Sequence, residues 1–229
     1  MEQIKYRTMI STKDAINIAV QAYYINEEQY LKYDISGTLE DGSFGVQKYA
    51  NKNLIKQMIV DADTVKTDPK YDQIVQDIMD HQKSLLLSVM SGTANNFEEN
   101  VFKLVGGDEI ATTNLGYIAP LPKLYFAKLK AEQFGKTISE SKEVGSAGDV
   151  ITGEAYLHDA RFIESRGFHV YTFAMDGNLL TSFSGKSLED FKIEVGKTYK
   201  IKAKVKRSSL NKFYGNVTDT VINYLKIIG

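Results

Sequence analysis

Residues 196–207 read Gly-Lys-Thr-Tyr-Lys-Ile-Lys-Ala-Lys-Val-Lys-Arg. Lys200, Lys202, Lys204 and Lys206 alternate with Ile201, Ala203 and Val205, the period of a β-strand that turns one face to a core and the other to solvent. The alternation spaces the four ammonium groups about 7 Å apart, close to the phosphate repeat of an extended nucleic-acid strand. From Lys197 to Lys212 there are seven basic residues, Arg207 among them, and no acidic one. Two readings fit such a face: it tracks a phosphate backbone, or it keeps a sheet soluble and blocks pairing at its edge.

Outward from this stretch, period two continues. Strands are expected over 150–157 with a continuation to 163, then 168–175, 179–184, 198–207 and 217–228. Asp176-Gly177 is a tight-hairpin signal because both turn positions want a positive φ. A hairpin closed there sets Phe173 opposite Leu180 and Val170 opposite Phe183. Tyr171, Phe173, Met175 and Leu180 then share the more apolar face, which goes to the core. The other face holds Phe168, Val170, Thr172, Thr181 and Phe183 and suits a half-exposed stacking platform, so Phe168 and Phe183 are candidates for base contact; the alternative is that both faces are partly buried because the helical domain packs on the barrel. A short helical stretch at 187–191, closed by Gly196, joins the third strand to the fourth, and a longer loop at 208–216 joins the fourth to the fifth. This layout is that of a five-stranded OB-like Greek-key barrel.

The first half has a different grammar. Ser11 or Thr12 caps a helix carrying Ile16, Val20, Tyr23 and Tyr24; Gly37, Gly42 and Gly45 mark a loop. Further helices are expected over 49–60, 69–90, 95–105 and from Pro120 and Pro122 to about 134. The fold class is therefore α+β: a helical domain over 1–136, a linker of glycine, serine and mixed charge over 137–149, and the barrel over 150–229. A fragment beginning near Lys142 is expected to fold alone.

The run from Tyr171 to Asn178, then Phe183-Ser-Gly185, Gly196 to Lys206, Tyr214-Gly215 and Thr220-Val-Ile222 resembles the OB-type domain of phage and plasmid replication proteins that bind single-stranded DNA. The resemblance spans roughly 148–228 and is a pattern of glycines, apolar positions and lysines. It departs from the family where a tryptophan often expected near the end of the third strand is absent, with Ser182 in that neighbourhood. The acidic tail of bacterial single-strand binding proteins is also absent, the chain ending Lys-Ile-Ile-Gly229, so recruitment of replication partners through such a tail is not expected. The resemblance implies a DNA-binding role in phage or mobile-element DNA replication.

Other residues join the candidate interface. Lys212, Phe213 and Tyr214 place a cation and two rings in the loop that OB-folds use as a clamp, and Arg161 and Arg166 flank the first turn as its opposite wall. Residues 1–136 carry 15 basic and 18 acidic groups and residues 137–229 carry 13 and 11, so positive charge gathers in the half that holds the lysine strand.

No catalytic centre, metal site or cofactor is expected. Gly135-Lys136-Thr137 imitates the end of a phosphate-binding loop, but the glycine required five residues before Gly135 is Lys130. His81, His158 and His169 lack metal-ligand spacing, and Asp149, Glu154 and Asp159 read as a solvated face. The absence of cysteine excludes disulfides and thiolate chemistry, and no segment approaches the roughly 20 apolar residues of a membrane span. A cytoplasmic protein, that of the host cell if phage-encoded, without a membrane partner is expected. Its partner is single-stranded DNA or RNA, bound without sequence preference. The rival reading makes the barrel a scaffold and has the helical domain dock on a host or phage enzyme, or on a second copy.

Overall fold

The computed structural model describes residues 9–60 and 65–228, and its chain divides into two compact units, Met1–Lys128 and Leu129–Gly229. In the first unit, β1 (Met9–Ser11) pairs antiparallel with β4 (Glu109–Ala111). The Ser11 hydroxyl accepts from the Asp14 N–H and caps α1 (Thr12–Ile25). Ala15, Ile16, Ile18, Ala19, Val20 and Ala22 of α1 are all buried, which makes it the central helix. Around it pack α2 (Asn51–Val60), α3 (Asp72–Ser84), α5 (Asn96–Val105) and α6 (Leu115–Ile118) through Ile55, Val75, Ile78, Val101, Leu115 and Ile118.

Two expectations change here. The glycine-marked loop is a hairpin, β2 (Ile35–Thr38) with β3 (Phe44–Lys48), strands too short for a period to show in the sequence. The single helix expected over 69–90 opens with a 3-10 turn at Pro69–Tyr71 and breaks after α3, resuming as α4 (Leu86–Met90). At the break the Ser84 hydroxyl donates to the His81 carbonyl at 2.6 Å, a local bond that competes with the helical ladder.

The second unit begins inside α7 (Leu121–Thr137) and contains β5 (Val150–Ile163), β6 (Phe168–Met175), β7 (Asn178–Ser184), α8 (Leu188–Phe191), β8 (Thr198–Asn211) and β9 (Val217–Ile227). Its five strands close into a ring in the order β5-β6-β7-β9-β8 and back to β5. The β7–β9 pair is parallel and the other four are antiparallel. β5 serves two neighbours. Its first half pairs with β8 and its second with β6, with a bulge between Leu157 and Asp159. Asp176 and Gly177 have φ of 50° and 76°, and the hairpin register is Phe173 opposite Leu180 and Val170 opposite Phe183, as the turn chemistry predicts. Tyr171, Phe173, Met175, Leu180, Ile201, Ala203 and Val205 fill the ring.

The segment expected as a linker is a strap. The Ser141 hydroxyl donates to the Thr218 carbonyl at 2.6 Å and accepts from the Leu179 N–H at 2.8 Å, which ties β9 to β7. The Lys142 N–H donates to the Asn178 side-chain oxygen, the Val144 N–H to the Thr220 hydroxyl, and the Gly148 N–H to the Val205 carbonyl. Serine is used here for bonding and glycine for positive φ, 74° at Gly145 and 100° at Gly148, rather than for looseness. Ile138, near the start of this segment, is fully buried in the same unit.

Candidate nucleic-acid interface

On β8 the lysines and the apolar residues take opposite faces. Lys200, Lys202, Lys204 and Lys206 are exposed, while Ile201, Ala203 and Val205 lie in the ring's core. β8 is no edge strand. Thr198–Lys204 pair with β5 and Ile201–Asn211 pair with β9, so Lys202 and Lys204, in the stretch flanked on both sides, have no free edge to guard. No ion pair within 4 Å engages any of the four among the described residues. A bulge between Val205 and Arg207 leaves Lys206 without a cross-strand partner, and both it and Arg207 are exposed.

The β6–β7 hairpin presents less open surface than its sequence promises. Of its outer face, Thr172, Ala174, Leu179 and Thr181 are buried. Phe134 and Ile138, from the end of α7 and the residue after it, pack on Ala174 and Leu179 together with Tyr214 and Val217. The half-exposed platform is thereby reduced to its upper end, where Phe183 is 44% exposed and meets the half-buried Phe168 edge-on at 5.5 Å between ring centroids.

Tyr214 moves for the same reason. Its ring lies 5.5 Å from Phe134 and 6.4 Å from His158, part of the packed cluster rather than an open stacking surface, and burial pushes its hydroxyl pKa up. Its neighbours in the 3-10 turn Lys212–Tyr214 differ. Lys212 is exposed and Phe213 is 92% exposed, with the turn fixed by the Asn211 side chain accepting from the Phe213 N–H at 3.0 Å. Asn211 also donates to Asp219, whose carboxylate accepts from Thr181 too. Burial raises the Asp219 pKa against the pull of these two bonds, and its Oδ1 has no partner.

Arg161 is opposite Val170, which is opposite Phe183, so one row across β5, β6 and β7 carries the first-turn arginine to the exposed ring. The Arg161 side chain is held by Asp159 at 2.7 Å. Arg166 is exposed in the 3-10 turn Glu164–Arg166 that follows β5. The expected residues thus fall into three places: the open end of the β6–β7 hairpin beside the β5–β6 turn, with Arg161, Arg166, Phe168 and Phe183, the lysine ridge of β8, and the β8–β9 turn with Lys212 and Phe213.

What joins the first place to the second is the last part of β9, which sequence reasoning passed over. Lys226 stands directly opposite Lys202, and Asn223 opposite Lys204. The sequence carries a signal there: Ile222 and Leu225 are both buried although three apart, a slip in period two that marks a bulge. Phe162, 54% exposed beside His169, was also missed. No family model matches the chain, and no curated protein and no solved structure matches it. Among the described residues no helix is long and apolar enough to cross a membrane.

His158, the extra residue of the β5 bulge, stacks flat on Phe134 at 3.7 Å between centroids, and burial lowers its pKa. Between the ordinary histidine value of about 6.5 and the lower folded value, the unfolded chain binds a proton that the folded chain refuses. Stability from this group is therefore full above that ordinary value and falls with acidification through the window. His158→Phe should keep the stack and reduce the drop in melting temperature between neutral and mildly acidic buffer. An unchanged drop would show that the histidine does not supply it.

Proposed function

We propose that the ring is an OB-type barrel and that this half of the protein binds single-stranded nucleic acid, DNA in the first place, without sequence preference, in the replication or recombination of a phage or mobile element. The observation that carries the reading is the lysine ridge of β8, whose middle, Ile201–Lys204, is paired on both sides. Edge protection has no object at Lys202 and Lys204, and solubility alone does not call for cations without an ion pair ranked in one line and faced by a further lysine at 226. Supporting it are the insertion of the fifth strand between the third and fourth, the short helix before the fourth, and exposed rings at Phe183 and Phe213 beside cations.

Titration of a fluorescent oligo-dT with the full chain tests it. Binding at micromolar protein or below in low salt is expected, with log K falling against log salt by about 0.7 for each phosphate contacted. No binding in low salt would overturn the reading. The scaffold reading has its own support in the first unit, where Leu87 and Met90 of α4 and Phe44 of β3 are largely exposed, and it is the one left standing by that outcome.

A further inference from the structure

The parallel pair β7–β9 is bonded only from Leu179 opposite Asp219 to Ser182 opposite Ile222. Beyond that the strands part, because β7 turns away toward α8 and β9 bulges. They leave a groove of about 490 Å3 with Phe183, Lys186 and Phe191 on one wall and Asn223, Tyr224 and Lys226 on the other. None of the groove's second wall belongs to the residues picked out by composition or resemblance.

The bulge puts Tyr224 in an unusual state. β9 takes three steps from Asn223 to Lys226 where β8 takes two from Lys204 to Lys202, and Tyr224 has φ of 55°. A bulky aromatic residue in the left-handed region is strained. Its ring gains no burial in exchange, being 77% exposed at the mouth of the groove. A bulge that aims a side chain outward at the cost of backbone strain is a common device beside binding sites.

Charge gives a second, independent pointer. Lys202 and Lys226 are direct cross-strand neighbours, and neither has an ion pair within 4 Å among the described residues. Like charges in that relation repel, and a bound anion relieves the repulsion. Lys186 adds a third cation on the facing wall, its ammonium group 5.5 Å from the centre of the Phe191 ring.

We propose that this groove seats one base of a single strand between Phe183 and Tyr224 and holds the adjoining phosphates with Lys226, Lys202 and Lys186. The inference rests on the single-strand reading above and adds a path to it: the strand enters past Arg161 and Phe183, turns through the groove, and leaves along Lys202 and Lys204.

The test uses the full chain, oligo-dT, and a photoreactive oligo carrying 4-thiothymidine whose crosslinks are mapped by mass spectrometry. Tyr224→Asn removes the ring and places at φ of 55° a residue that tolerates it. Its melting temperature should stay level or rise while affinity falls roughly tenfold or more. Tyr224→Phe should bind like the wild type, since stacking needs the ring and not the hydroxyl, and crosslinks should fall on Tyr224 or Phe183. If the wild type binds but Tyr224→Asn binds equally well, or the crosslinks lie elsewhere, the groove is lost and the single-strand reading survives. Loss of affinity together with a lowered melting temperature also overturns it, by making the ring a structural one. A wild type that does not bind oligo-dT removes both.

Discussion

Replacing Lys202 and Lys204 together by glutamine is expected to weaken oligo-dT binding roughly fiftyfold at about 0.05 M salt and to flatten the slope of log K against log salt by about 1.4, two contacts at about 0.7 each. The affinity loss follows from the slope, because the counterion-release contribution grows as salt falls below about 1 M. Folding should be untouched. Both side chains are exposed on the outer face of β8, and neither contributes an ion pair among the described residues. Removing Lys202 even relieves the repulsion with Lys226 opposite it, so the melting temperature should hold or rise slightly. The loss should be the same for oligo-dT and for mixed sequences, since a cation on a phosphate reads no base. An unchanged salt slope, with folding and affinity near wild type, would return the ridge to the solubility reading.

The ridge itself was legible because its information is local. Period two assigns alternate side chains to opposite faces without reference to anything distant, and Lys202 and Ala203 obey it. The hairpin was legible for a similar reason: two turn residues of positive φ fix the register of every pair between Val170 and Phe183. That the hairpin's outer face could be covered was legible, but not which residues cover it. Phe134 lies some forty residues before Ala174 and reads as an ordinary apolar position at the end of a helix, with nothing in its neighbourhood to say which surface it will meet. Tyr214 was misjudged through the same gap, since a ring in a glycine-bounded loop looks free until the helix end beneath it is known. Ser141 looked like linker because serine is a linker residue by frequency, whereas here its hydroxyl both donates and accepts between two strands. Tyr224 is a different case. The spacing of Ile222 and Leu225 was there to be read, and assuming unbroken alternation to the end of the strand hid it.

The cover over the hairpin also decides where the second unit can be cut. Residues 129–229 should fold as an independent unit, while residues 142–229 should not reach the same state. The shorter fragment lacks Phe134, 3% exposed, the fully buried Ile138, and the Ser141 hydroxyl that joins β7 to β9. Truncating a buried phenylalanine costs about 3–5 kcal/mol and a buried isoleucine about 2–5 kcal/mol, against a total stability of about 5–15 kcal/mol for a typical domain. Deletion further strips Ala174, Leu179, Tyr214 and Val217 of their cover and leaves the Leu179 N–H without its partner. A fall of about 20 °C or more in melting temperature, or loss of a cooperative transition, is expected for residues 142–229, since each kcal/mol shifts a domain of this size by about 4–8 °C. Phe134→Ala in the full chain gives the same effect in smaller measure and separates the missing ring from the cut. Oligonucleotide affinity should follow folding, retained by residues 129–229 and lost by the shorter piece. If residues 142–229 melt cooperatively at the temperature of the longer fragment, Phe134 and Ile138 merely lie on a ring that is stable without them, and the cover contributes nothing to holding the five strands together.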